Sequence, residues 1–321
     1  MFETPILLIT FNRPDHTRQV WDEIKKQKPK YLFVFQDGAR PNNKEDIDKV
    51  EQVRALFKPN EIDWECELKT NFNENNLGCG RGPAAAITWF FDNVEEGLIF
   101  EDDAVPATDF FPYAEELLEK YRDDDKIKVI ASIHLDNKTY GDASYYFTMM
   151  NRNLCAWAMW KRSWSNFDYY LASTKRKELM QKMRKLYSSN IRIREYWGER
   201  LDEIHKDRLD DSSWDMQFLI SIWLVGGLGI APNVNLSSNI GFDDEATHTT
   251  NENNPLANLP VGEIMPLTHP TEIKQNKKAD INYDKIYFQK NEYGWSGIKR
   301  LPFRINKRIK RALGIKGSWF K

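Results

Sequence analysis

The sequence predicts an α/β domain with a mainly parallel sheet flanked by helices, and three observations carry that prediction. Short apolar runs alternate with stretches of helical periodicity through the N-terminal half. The runs Ile6-Leu7-Leu8-Ile9, Tyr31-Leu32-Phe33-Val34-Phe35 and Gly97-Leu98-Ile99-Phe100 read as buried strands. Each is followed by a polar group: Asn12-Arg13, Gln36-Asp37 and Glu101-Asp102-Asp103. In open α/β sheets ligands bind beyond the carboxyl ends of the strands. The coincidence of polar groups with strand ends is therefore the first functional signal.

The elements follow in order. After Asn12-Arg13-Pro14-Asp15 comes a helical stretch with Val20, Trp21 and Ile24 on one face, and after Gly38 a second with Ile47, Val50, Val53, Leu56 and Phe57. Residues 64–68 suggest a third strand, and 80–91 a third helix. Asp109 is placed to cap a helix presenting Phe110, Ala114, Leu117, Leu118 and Tyr121. Val129 to Ile133 reads as a further strand leading into His134-Leu135-Asp136-Asn137, and 145–160 is rich in aromatic and small apolar residues. The charged, helical stretch 173–210 suggests an insertion serving as a lid or acceptor region. Met216 to Leu228 predicts a buried helix ending at Gly226-Gly227, whereas the Asn, Pro and Thr content of 243–282 predicts loops.

Composition bounds the function. With 321 residues, 41% apolar and 29% charged, the chain is globular and long enough for a sizeable core. No apolar run reaches the roughly 18 residues of a membrane span, and Pro5 to Thr10 is too short for a signal peptide. Cys66, Cys79 and Cys155 form neither a disulfide framework nor a CxxC site, which favours a reducing cytoplasm. The net charge of −2 hides an asymmetry: residues 299–321 hold nine Lys/Arg and no acid, leaving 37 basic against 48 acidic residues before them. The acidic body argues against nucleic acid as a partner. In the tail Ile305, Ile309 and Leu313 share one helical face between Pro302 and Gly314, with Arg304, Lys307, Arg308, Lys310 and Arg311 on the others. That pattern predicts a basic amphipathic helix lying on an anionic membrane surface. The expected organisation is a domain over 1–282 and a basic tail over 283–321.

The acidic triplet is the chemical centre of the sequence. Adjacent carboxylates repel unless a cation lies nearby, and Mg²⁺ or Mn²⁺ binds one or two carboxylates together with phosphate oxygens. Asn76-Leu77-Gly78-Cys79-Gly80-Arg81-Gly82-Pro83 is a glycine-rich loop entering a helix, suited to an anion, and Arg81 is placed to reach a diphosphate. It matches neither the P-loop nor the dinucleotide fingerprint. Asp215 precedes an apolar helix, where it serves as a general base or as an ordinary helix cap; Asp136 is its rival, and Asp210 and Asp211 are weaker.

These residues resemble a known group. Ile6 to Arg13, Gln36-Asp37, Asn76-Leu77-Gly78 and Glu101-Asp102-Asp103 look like nucleotide-sugar glycosyltransferases of the GT-A fold, a Rossmann-like α/β architecture. The likeness is closest to the N-acetylglucosaminyltransferase I group, which also resembles this chain at Ala107-Thr108-Asp109-Phe110-Phe111, over Leu154 to Trp164, and at Trp214-Asp215 and His248. It spans roughly residues 4–250 and is densest over the first 125. The resemblance implies that Thr10, Asn12, Arg13, Asp37, Arg81, Glu101 and Asp102 surround a nucleotide diphosphate sugar, with UDP the expected nucleotide. It implies Mn²⁺ or Mg²⁺ at Asp103 with His248 nearby, Asp215 as the base of an inverting transfer, and Trp157 and Trp214 against the acceptor. The acceptor would be a hydroxyl of a glycan or glycolipid, met at the inner face of a membrane. A sugar-1-phosphate nucleotidyltransferase would place its glycine-rich Arg loop directly after the first strand, where this chain has Phe11-Asn12-Arg13-Pro14. A non-catalytic glycan-binding protein on the same fold is the other alternative.

Overall fold

The computed structural model describes residues 1–136, 138–149, 155–186, 191–206, 213–242 and 256–287. His248, Asp210, Asp211 and the tail over 288–321 lie outside the described residues. In chain order the elements are β1 (Ile6–Thr10), α1 (Pro14–Gln27), β2 (Tyr31–Gln36), α2 (Lys44–Ala55), β3 (Glu67–Phe72), α3 (Gly78–Phe91), β4 (Glu96–Glu101), β5 (Ala104–Pro106), α4 (Phe110–Lys120) and β6 (Ile127–Ala131). They continue as β7 (Tyr145–Thr148), β8 (Ala156–Trp160), α5 (Lys161–Trp164), α6 (Arg176–Leu186), α7 (Ile191–Ile204), α8 (Asp215–Val225), β9 (Leu228–Pro232), β10 (Ser237–Asn239) and α9 (Lys277–Tyr287).

The central sheet has the order β3-β2-β1-β4-β8-β6-β9-β7, with β8 and β7 running against the other strands. It is thus a mixed, mainly parallel Rossmann-like sheet. Strand alternation sends the side chains of β1 to both faces. Ile6 and Leu8 pack among Val20, Trp21 and Ile24 of α1, Val53 of α2 and Leu117 of α4. Leu7 and Ile9 pack with Ile87 and Phe90 of α3 and with Phe218 and Ile222 of α8. From β1 the chain steps outward to β2 and β3, then returns through α3 to β4 on the other side of β1. The connections therefore diverge between β1 and β4, and a crevice opens at their carboxyl ends.

Three expectations need revision. The third strand lies at Glu67–Phe72, not at 64–68, because it is the sheet's outermost strand and its half-exposed residues give no apolar run. Trp64 instead packs beside Trp21 and donates from Nε1 to the Pro29 carbonyl at 2.8 Å. Asp109 makes no side-chain cap to α4; its Oδ2 accepts from Ile264 N and Met265 N at 2.7 and 3.0 Å, tying the C-terminal loop to the helix start. The loops expected through 282 stop at α9, which Asn276 begins by accepting from Ala279 N at 3.0 Å. The stretch 173–210 does hold two helices. Leu179 and Met183 of α6 and Ile193, Trp197 and Leu201 of α7 form a third apolar cluster with Leu219, Ile220 and Trp223 of α8. Cys66, Cys79 and Cys155 are free thiols. Among the described residues, no helix is long and apolar enough to cross a membrane.

Candidate active site

The pairing of β1 with β4 sets Ile9 beside Glu101, so the residues leaving the two strands meet. Pro14 opens α1, its fixed φ and missing N–H suiting the first turn. Arg13 just before it makes no cap and is free to turn its side chain across the crevice. Its Nη2 donates to Asp102 Oδ1 at 2.8 Å and its Nη1 to Asp103 Oδ2 at 3.0 Å. Phe11 N donates to the other oxygen of Asp102 at 3.2 Å. A single guanidinium thus bridges two consecutive carboxylates with only 16% of its side-chain surface exposed. The Asp102 charge, seconded by Asp103, raises the Arg13 pKa. Burial pushes the Glu101 carboxyl well up, helped by repulsion from Asp103 and Asp102; burial also raises Asp102, with Arg13 opposing it.

The carboxyl end of β2 adds a second wall. Asp37 Oδ1 accepts from Gly38 N and Leu77 N at 3.0 and 2.8 Å, and Oδ2 accepts from Gly78 N and the Asn76 amide at 2.9 and 3.1 Å. Burial raises the Asp37 pKa while the backbone N–H donors hold it back. Asp37 therefore fastens the loop before α3 onto β2. Gly38 is required by proximity, since a methyl there would overlap the backbone of Asn75 at 2.6 Å.

The third wall comes from distant chain. β10 pairs antiparallel with β5, setting Asn239 opposite Ala104. Ile240 N then donates to the Asp103 carbonyl at 2.9 Å, and the Asn239 amide lies 3.4 Å from Asp103 Oδ1. Gly241 follows directly over the ion pair: a methyl built on it would overlap Asp103 Oδ2 and press on Arg13 Nη1. From the opposite side Asp215 opens α8, its Oδ1 accepting from Ser213 Oγ at 2.8 Å. Trp214 beside it stacks on Trp157 with ring centroids 5.4 Å apart. Together these groups enclose a cavity of about 400 Å³, within the roughly 300–1,000 Å³ usual for small-molecule sites.

Eight of the residues expected to act line this cavity: Thr10, Arg13, Asp37, Glu101, Asp102, Asp103, Trp214 and Asp215. Three others do not. Asn12 turns away and donates to Asp46 Oδ1 at 2.8 Å, anchoring the turn after β1 to α2. Arg81 faces the outer side of α3, 3.2 Å from the Tyr170 hydroxyl. Trp157 is fully buried beneath Trp214, so it has no surface to offer an acceptor and acts as its support. Asp136 is likewise away from the cavity, accepting from the Tyr140 hydroxyl at 2.8 Å. Reasoning from sequence missed Arg40, Ser213, Asn239, Gly241 and Phe242, which also line it. Arg40 and Ser213 adjoin recognised motifs and were within reach. Asn239 and Gly241 carry no local signal, because a pairing across 136 residues delivers them.

Among the described residues no three His, Cys, Asp or Glu side chains cluster as metal ligands. A hard divalent ion shared with a diphosphate needs only one or two carboxylates from the protein. Asp103 Oδ1, which Arg13 does not engage, supplies an oxygen donor of that kind at the cavity wall, and the Glu101 carboxyl beside it would join once a cation offsets the burial and repulsion that favour its protonated form.

No protein-family model and no curated protein matches this sequence. Solved structures similar to it include a UDP-glucose pyrophosphorylase determined with UDP-glucose, at 8% identity and TM-score 0.37 over 71% of this chain and 90% of that one. A 4-diphosphocytidyl-2C-methyl-D-erythritol synthase from Anaerococcus prevotii matches at 9% and 0.33 over 55% and 80%, respectively. An inositol-1-phosphate CTP transferase from T. maritima matches at 11% and 0.27 over 50% and 73%. These three are nucleotidyltransferases and pyrophosphorylases, not members of the N-acetylglucosaminyltransferase I group. At such scores the likeness decides nothing about the chemistry.

Proposed function

We propose that the protein is a metal-dependent glycosyltransferase that moves a sugar from a nucleotide diphosphate sugar, UDP-linked by preference, to a hydroxyl of a glycan or lipid-linked glycan. The observation that carries the reading is the Arg13–Asp102–Asp103 constellation facing Asp215 across one cavity at the strand switch point. A departing nucleoside diphosphate gathers negative charge as the bond from sugar C1 to phosphate oxygen breaks. Arg13, on the cavity wall, would stabilise that charge, as fixed cationic groups in a water-excluded site do strongly. Mn²⁺ or Mg²⁺ held through Asp103, with Glu101 as a second oxygen donor, would add Lewis-acid stabilisation of the same leaving group. Asp215 would take the acceptor hydroxyl's proton as its oxygen bonds to C1, giving inversion. Trp214 beside it, largely buried on Trp157, would form part of the wall that the incoming sugar meets.

The rival, a sugar-1-phosphate nucleotidyltransferase, needs room after β1 for a phosphate-gripping loop. Here only Phe11, Asn12 and Arg13 separate β1 from α1, too short a stretch for such a loop. One assay separates the two. The protein is incubated with Mn²⁺ and a panel of UDP-sugars while UDP release is followed, and in parallel with UTP and glucose 1-phosphate while pyrophosphate is followed. The glycosyltransferase reading expects UDP release, slowed about 10²–10⁴-fold by Asp215→Asn. Pyrophosphate release without UDP release would overturn it.

A further inference from the structure

A second concavity lies on the outer side of α3, away from the crevice. It is an open groove of about 730 Å³ formed by Arg81, Thr88, Trp89 and Asp92 of the helix region and by the segment Phe167-Asp168-Tyr169-Tyr170. Three of its four aromatic rings are half-buried, and Tyr170 is 47% exposed. Each is braced from behind. Trp89 meets Phe33 of the core edge-on at 5.4 Å, and Phe167 stacks flat on Trp164 at 4.0 Å. Tyr170 packs against Tyr169 at 5.2 Å. The segment itself is held by Asp168, whose two oxygens accept from Tyr170 N and Ala172 N at 2.9 and 2.8 Å. Arg81 and Asp92 place opposite charges on the rim, and Arg81 Nη2 donates to the Tyr170 hydroxyl.

Half-buried, braced aromatic rings with charged groups beside them suit a particular ligand. The negative face of an aromatic ring attracts the partly positive C–H groups on the flat side of a pyranose. Carboxylate and guanidinium groups at the rim match its hydroxyls. The groove lies across α3 from the candidate active site, and packed aromatic rings join the walls of the two. Trp214 at the cavity wall contacts Trp164 at 6.2 Å, and Trp164 contacts Phe167 in the groove. Gly82 and Pro83 line the cavity, while Arg81 and Ala84, next to them on the same helix, line the groove.

We propose that this groove is a second carbohydrate-binding site, in which a stretch of neutral oligosaccharide lays pyranose faces on Trp89 and Tyr170. It holds a glycan chain beside the site of transfer. The purpose of that binding rests on the proposed function, but the binding itself does not.

The full chain is titrated with cellotetraose, chitotetraose and maltotetraose, following tryptophan fluorescence and, separately, calorimetric heat. At concentrations reaching roughly ten times a millimolar Kd, at least one tetrasaccharide is expected to bind saturably. Trp89→Ala and Tyr170→Ala are each expected to weaken that binding at least tenfold while UDP binding in the cavity is unchanged. Trp89 also packs on the core, so the exposed Tyr170 is the deciding variant if Trp89→Ala unfolds. Failure of all three sugars to bind, or binding indifferent to Tyr170→Ala, overturns the proposal. Sugar binding without UDP binding leaves the groove standing and removes the donor reading; UDP binding without sugar binding does the reverse.

Discussion

Two regions of the molecule bury carboxylates and treat them in opposite ways. Between β1 and β4, Asp102 and Asp103 share the Arg13 guanidinium and remain an ionic cluster at the edge of a cavity. Between β7 and α9, the partners of Asp280 among the described residues are neutral: it accepts from Thr148 Oγ1 at 2.5 Å and Gln275 Nε2 at 2.6 Å. Burial there lifts its pKa to about 6. An ionic cluster beside open space is expensive to assemble, and such clusters concentrate where charged groups bind or react. A carboxyl among hydroxyl and amide groups serves as a structural clasp. The contrast singles out the first half of the sheet as the candidate site.

The sharpest way to break this contrast is Arg13→Ala. Removing the guanidinium leaves two buried carboxylates facing each other, which costs about 3–5 kcal/mol when a buried pair loses one partner. Because burial raises the Asp102 pKa and Arg13 opposes that rise, the loss is full at neutral pH and shrinks as Asp102 takes up its proton. Urea unfolding of both proteins at pH 7 and pH 4 reads it, and equal stabilities at pH 7 would remove Arg13 from the centre of the site.

Asp280 tests the other side. Its folded-state pKa is raised from 3.8 to about 6, so its favourable contribution is present below pH 4 and is lost as pH rises through 6. Holding the carboxyl there costs roughly 3 kcal/mol of native stability at pH 8 relative to pH 4. Asp280→Asn keeps an acceptor and removes that slope. The variant is therefore expected to gain on the parent protein between pH 4 and pH 8, and a parallel pair of stability curves would show Asp280 to be ionised throughout.

Gly241→Ala is the mildest. The added methyl must displace Asp103 or Arg13, and the guanidinium end can swing, so about 1–2 kcal/mol of stability is at stake together with weaker UDP binding. Unchanged UDP affinity would place the segment after β10 outside the site.

The same two regions differ in what their sequence discloses. In the first half the chemical groups ride on the ends of parallel strands, each preceded by an apolar run. Arg13, Asp37 and the triplet at 101–103 are therefore visible from local pattern alone, whereas Thr10 enters through the family resemblance. β3 was misplaced because an outer strand with polar side chains has no such run. In the second half, position depends on partners far away in the chain. β10 is three residues long and gains its meaning only by pairing with β5. Trp157 has the composition of a sugar platform, but antiparallel pairing of β8 with β4 and β6 buries it in the sheet. Asp215 reaches the cavity and Trp157 does not, because the first residue of a helix is exposed by geometry, whereas a mid-strand residue of an interior strand is not.

The central claim is that the crevice between β1 and β4 binds a nucleotide diphosphate through its acidic pair. Calorimetric titration of the protein with UDP, with GDP as control and each with and without Mn²⁺, tests it most directly. The account predicts UDP binding strengthened by Mn²⁺ and abolished in Asp103→Ala. A folded protein that takes up neither nucleotide, with or without the metal, would contradict it and leave the Arg13 cluster as a structural lock between two strands.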